Sequence, residues 1–126
     1  MARMKDAYLS VENLTQSIVG EVEKMYFKNT SLNDVIFCKI EGQGTIIIYR
    51  SLFDFTFIEL FDKNNVLLKF TGFDAERYFL KNRKGFKKSY MKKLQSEIIA
   101  LCNEYEIYPV NNIEWIYIKN GRIKKK

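Results

Sequence analysis

The chain has 126 residues, 47% hydrophobic and 15% aromatic, the size of one domain with enough apolar matter for a core. One proline, six glycines and no biased repeat exclude collagen, coiled-coil and disordered readings, and runs such as Ile46–Tyr49 fall far short of a membrane span. With a formal net charge of +6 the chain contains no histidine, which removes Ser-His-Asp and Cys-His nucleophilic systems and the usual zinc hydrolases.

In chain order, Met1–Ser10 lacks the apolar stretch of a signal peptide, and a cytoplasmic location is expected. Val11, Leu14, Ile18, Val22 and Met25 recur every three or four residues, which predicts a helix over Tyr8–Lys28 interrupted by Gly20. Residues Asn29–Asp34 read as a polar connection. Strands are expected at Val35–Ile40 and Thr45–Arg50, joined by the turn Glu41-Gly42-Gln43-Gly44. In Phe53–Phe61, Phe53, Phe55, Phe57 and Phe61 share one face, with Asp54, Thr56 and Asp62 on the other. The turn signal Asp62-Lys63-Asn64-Asn65 leads to a fourth strand, Val66–Phe70, with Val66, Leu68 and Phe70 on one face.

Asp74 can cap a short helical turn running to Leu80. A second long helix starts near Ser89, buries Leu94, Ile98, Leu101, Cys102 and Tyr105, and stops before Pro109. Ile113–Lys119 is a last strand, Asn120-Gly121 a turn, and the lysine tail a frayed end. The fold expected is a single α+β domain: an N-terminal helix, a four-stranded antiparallel meander, a second long helix and a final strand, with the helices packed on the sheet. Cys38 and Cys102 both fall on apolar stripes and read as buried, reduced thiols.

Bulk basicity carries little weight. Phe, Tyr, Met, Ile, Asn and Lys come from A/T-rich codons, and lysine outnumbers arginine 16 to 5. The distribution of charge says more. Arg77, Lys81, Arg83, Lys84, Lys87, Lys88, Lys92 and Lys93 lie within seventeen residues that contain no acid, and Lys119–Lys126 holds five more bases, again with no acid. The remaining residues carry eight bases against fifteen acids. A mildly acidic body therefore holds two basic segments.

On the second helix the lysines crowd the N-terminal end, while Glu97, Glu104 and Glu106 lie toward the other. That order opposes the helix dipole, which prefers acids first by about 0.3–1 kcal/mol per charge. A solvated charged face tolerated at small cost is one explanation. An anion meeting free backbone N–H groups and lysines together is the other, and phosphate is the obvious candidate. Tyr78, Phe79, Phe86 and Tyr90 interleave the basic segment; Tyr78, Phe79 and Tyr90 fit a core, and Phe86 is the best candidate for stacking on a base. A winged-helix reading fails because the run of closely spaced helices before the hairpin is missing.

The expected function is that of a non-enzymatic nucleic-acid-binding accessory protein, suited to a phage, plasmid or other mobile element. The expected contacts are Arg77, Lys81, Arg83, Lys84, Phe86, Lys87, Lys88, Lys92 and Lys93, helped by Lys119 and Arg122. No cofactor is expected. The competing reading is a small inhibitor or adaptor that binds a host protein or nucleoprotein, of anti-CRISPR or anti-restriction type. It rests on the two-sided apolar strands Thr45–Tyr49 and Ile113–Ile118, which would also permit a homo-oligomer. A third reading, a metal-dependent enzyme, would draw on Asp54, Glu59, Asp62 or Asp74.

Overall fold

The computed structural model describes residues 13–22, 35–50, 55–80, 87–108, 113–119 and 122–125. Residues 13–22 form the described part of a first helix, α1, and Lys88–Glu104 form the second, α2. Six strands, β1 (Val35–Ile40), β2 (Gly44–Arg50), β3 (Phe55–Asp62), β4 (Leu67–Asp74), β5 (Ile113–Lys119) and β6 (Arg122–Lys125), make one antiparallel sheet in the order β4-β3-β2-β1-β5-β6. The fold is α+β, as the sequence pattern predicts. The predicted ends of the first helix, the connection 29–34, Phe53, Asp54 and Pro109 lie outside the described residues.

β1 to β4 form the expected meander, and the connections at residues 41–43 and 63–66 are tight turns. At the first, Gly42 has φ +77°, the left-handed conformation that favours glycine, and the Gln43 N–H donates to the Ile40 carbonyl at 3.0 Å. β5 returns beside β1, pairing Cys38 with Trp115 and Ile40 with Ile113. The lysine tail is not frayed through its first residues, since Arg122–Lys125 pair with β5 as β6. The two residues between β5 and β6, Asn120-Gly121, are a strong hairpin signal, and lysine-bearing edge strands are common because charge discourages further pairing.

Both helices share one buried core with one face of the sheet. Leu14, Ile18 and Val22 from α1 and Leu94, Ile98, Leu101 and Cys102 from α2 meet Ile36, Cys38, Ile46, Ile48, Ile58 and Leu60. The described members of the predicted helix stripes are thus buried, with Tyr105 half-buried and Tyr90 added at the start of α2, while Val11 and Met25 lie outside the described residues.

In β3 the core face is Thr56, Ile58 and Leu60, and the phenylalanine row points to the opposite side of the sheet. Phe55, Phe57 and Phe61 do share a face, but no described element lies over it. β4 also differs from expectation: it begins at Leu67 and continues through Gly72 to Asp74. Its register slips where Leu60 faces Lys69 and Phe61 faces Leu67, so Leu68 is the extra residue of a bulge. Gly72 is required here because a Cβ would stand 2.6 Å from Phe55 Cε1 and 2.6 Å from the Thr56 carbonyl. The rings of Phe55 and Phe57 lean over the missing side chain, an aromatic cover for a glycine in an edge strand.

α2 is fastened at both ends. Near its start the Tyr90 and Thr56 hydroxyls lie 2.8 Å apart, and just past its end the Tyr105 hydroxyl donates to the Leu68 carbonyl at 3.0 Å. Beyond it the Gln43 side chain brackets the Tyr108 backbone, accepting from its N–H at 2.7 Å and donating to its carbonyl at 2.6 Å.

Candidate nucleic-acid interface

The basic end of α2 is assembled from two segments. After β4, the Asp74 carboxylate accepts from the Glu76 N–H at 2.9 Å, an Asx-type bond made one residue ahead of the N-cap, which is Ala75 and not the predicted Asp74. The turn itself is the 3-10 segment Glu76–Tyr78. The Lys87 N–H then donates to the Tyr78 carbonyl at 2.6 Å, which sets the turn beside the N-cap of α2. Arg77, Lys87 and Lys88 are thereby drawn into one neighbourhood, all exposed. Lys92, also exposed, follows Lys88 by four residues and shares its face.

Underneath lies an aromatic cluster. Phe73 and Tyr90 have ring centroids 5.7 Å apart, and Tyr78 meets Phe73 and Tyr90 edge-on at 6.0 and 6.1 Å. Tyr90 and Phe79 are buried and Tyr78 is half-buried, so these aromatics are the core beneath the lysines rather than stacking surfaces.

The start of α2 has no side-chain acceptor of its own, while the adjoining turn carries the exposed acids Asp74 and Glu76. Lys87 is the N-cap residue with φ −70° and ψ 156°, makes no side-chain cap, and is followed by no acid in the first turn. A lysine cannot accept the orphan N–H groups of a helix start as Ser or Asp would. Lys93 differs from the others: its Nζ lies 3.0 Å from Glu97 and 5.8 Å from the centroid of the Phe73 ring, so its charge is already partnered. Lys81, Arg83, Lys84 and Phe86 lie outside the described residues.

The second basic segment is not part of this cluster. Lys119 and Arg122 face each other across β5 and β6, at the edge of the sheet opposite β4. β4 and β5 run in the same direction, so Asp74 and Lys119 end at the same end of the sheet, four strand positions apart. At about 4.8 Å per strand that is on the order of 19 Å.

The carboxylates named for a metal do not converge. Glu59 accepts from the Tyr49 hydroxyl at 3.3 Å, Asp62 accepts from the N–H groups of Asn64 and Val66 at 2.8 and 2.9 Å, and Asp54 lies outside the described residues. Among the described residues no three His, Cys, Asp or Glu side chains are grouped to hold a metal ion. A cavity of about 700 Å³ lies at the other end of the sheet, bordered by Lys39, Gly42, Asp62, Lys63, Glu114 and Trp115, away from the start of α2.

Both cysteines are free and buried. Burial first, and then the neighbouring Cys102, push the Cys38 thiol up to about 12; burial pushes Cys102 up to about 11. Such thiols are poor nucleophiles.

Sequence reasoning passed over the aromatic residues of the open sheet face, Tyr49, Phe57 and Phe70, as surface features. The signal was there in the alternation of phenylalanine with threonine, isoleucine and leucine along β3, which left two apolar faces to choose between. No helix among the described residues is long and apolar enough to cross a membrane. Comparison with known protein families, curated proteins and solved structures finds none that this chain matches.

Proposed function

We propose that the chain is a non-enzymatic nucleic-acid-binding protein that takes phosphates at the start of α2. The observation carrying this reading is a 17-residue helix that opens on lysines, with no side-chain cap and no acid in its first turn. Exposed Lys87, Lys88 and Lys92, with Arg77 beside them, surround N–H groups that have no capping side chain, which is the arrangement a phosphate complements. The rigid base supports it: the hydroxyl pair Thr56–Tyr90 and the Phe73–Tyr78–Tyr90 cluster hold this helix end on the sheet.

Lys119 and Arg122 stand at the same end of the sheet. About 19 Å corresponds to roughly six base steps at 3.4 Å each, within reach of one bound duplex or extended strand. They serve as a second phosphate contact. The test is anisotropy of labelled single- and double-stranded DNA and RNA. Micromolar or tighter binding that weakens steeply with salt supports the reading, and no binding at low salt removes it.

A second reading, a protein-binding inhibitor or adaptor, is favoured by a different region. Val66, Leu67 and Phe70 are 56%, 48% and 51% exposed at one corner of the sheet, an apolar patch of the kind that marks protein contacts. In that reading a chain that ignores free nucleic acid forms a discrete complex with one protein.

A further inference from the structure

Glu59 sits in the middle of the sheet face that no described element covers. Its cross-strand neighbours are Ile47 on β2 and Phe70 on β4, and Phe57 and Phe61 flank it along β3. Tyr49 donates its hydroxyl to Glu59 Oε1 at 3.3 Å, and burial and the Glu59 charge together hold the Tyr49 hydroxyl above its ordinary pKa. Among the described residues Glu59 meets no cation within ion-pair distance.

The rings beside it are continuous. Tyr49 and Phe57 have centroids 5.2 Å apart, Phe57 and Phe70 also 5.2 Å, and Phe70 is half exposed. Glycine at position 72 leaves room for the Phe55 and Phe57 rings to approach β4. On this outward face it is the row of aromatic rings, not the carboxylate, that breaks the inside-outside pattern, and such breaks are expected at functional sites. The chemistry of the face is complementary to one kind of group: a cation with a flat, weakly hydrated face. A guanidinium stacks on aromatic rings and donates in a fork to a carboxylate; an ammonium does only part of this. A phosphate backbone would instead be repelled by Glu59, and the face's Lys39 stands directly opposite Glu114.

We propose that this face docks a partner polypeptide through an arginine side chain. The guanidinium lies on the Phe57 and Phe70 rings and donates to the Glu59 oxygen that Tyr49 leaves open. The site is separate from the start of α2 and does not depend on nucleic-acid binding.

The test is an NMR titration of the full chain, with labelled phenylalanine and tyrosine rings, using the peptide Ac-Gly-Arg-Gly-amide and its lysine and citrulline counterparts. The account predicts saturable shifts of the Tyr49, Phe57 and Phe70 rings by the arginine peptide, at a millimolar dissociation constant. The citrulline peptide, the same shape without the charge, binds at least tenfold more weakly, and the lysine peptide falls between. Glu59→Gln keeps an acceptor for Tyr49 and so keeps the fold, yet costs at least tenfold in arginine affinity; Phe70→Ala costs severalfold. Equal binding of arginine and citrulline, unchanged affinity in Glu59→Gln, or no ring shifts at tens of millimolar peptide would each overturn the proposal. Ring shifts produced by an oligonucleotide and not by the arginine peptide would also overturn it, making the face a stacking platform for bases.

Discussion

The side-chain oxygens of Thr56 and Tyr90 lie 2.8 Å apart, with both residues fully buried. This pair joins the start of α2 to β3 and lets two polar groups enter the core satisfied. Tyr90→Phe removes one partner and leaves the Thr56 hydroxyl buried without it, at a cost of about 1–3 kcal/mol. Adding Thr56→Val removes the second polar group and recovers most of that loss. Urea unfolding of the two single variants and the double variant gives the coupling; a double variant as unstable as the sum of its parts would contradict the pairing.

Lys87 occupies a position at which the helix prefers a side-chain acceptor. Lys87→Asp supplies one, and also places an acid at the positive end of the helix dipole, so the folded state gains about 0.5–2 kcal/mol. The same change weakens binding to nucleic acid. Thermal unfolding and anisotropy on one preparation read both effects. A more stable variant with undiminished affinity would separate this helix end from binding, and a less stable one would contradict the cap geometry.

Gly20 lies within α1, and a Cβ built there meets nothing within 4 Å. Gly20→Ala is therefore expected to stabilise the chain by about 0.5–1 kcal/mol, the usual gain inside a helix. Gly72→Ala acts in the opposite sense. Its methyl group would press on Phe55, Phe57 and the Thr56 carbonyl, and overpacking of this kind costs about 1–3 kcal/mol. Chemical denaturation of the two variants beside the parent decides both signs.

The buried thiols make stability depend on alkaline pH. In the unfolded chain a cysteine loses its proton near its ordinary value of 9.0, whereas Cys102 holds it to about 11 and Cys38 to about 12. Between those values the folded state binds more protons than the unfolded state. The stabilisation is therefore fully present below pH 9 and is lost as pH rises toward 11 for Cys102 and toward 12 for Cys38. Unfolding free energies of the parent and of Cys38→Ala/Cys102→Ala, followed across that range, should show a shallower decline in the double variant. A parallel decline would place the loss on other groups. The same burial predicts that thiol reagents label neither cysteine at neutral pH until denaturant is added.

Local alternation carried much of the fold. β1 and β5 fall at the residues their β-branched alternation predicts, and the helix stripes Leu14–Ile18–Val22 and Leu94–Ile98–Leu101 are the buried ones. The orientation of β3 was not legible, because Phe55–Phe57–Phe61 and Ile58–Leu60 are both apolar rows and only helix packing decides between them. β6 was missed because Arg122–Lys125 lacks the apolar alternation of a strand, and its pairing depends on β5. Charge clustering at residues 77–93 was readable. That the two basic segments sit at opposite edges of the sheet depends on β5 pairing with β1, a contact between residues far apart in the chain. The surroundings of Glu59 required the same kind of cross-strand information, from β2 and β4 at once.

The most direct test of the account is the salt dependence of nucleic-acid affinity in the parent and in Lys87→Ala/Lys88→Ala/Lys92→Ala. If Arg77, the three lysines and one further base contact phosphates, the logarithm of affinity falls with the logarithm of salt at a slope of about −4.5, several hundredfold between about 50 and 200 mM. Removing three contacts should reduce the slope to about −1.8 and weaken binding at every salt concentration. A variant that keeps the parent's slope and affinity, or a parent that binds neither DNA nor RNA at the lower salt, would contradict the assignment of α2 as the phosphate-binding surface.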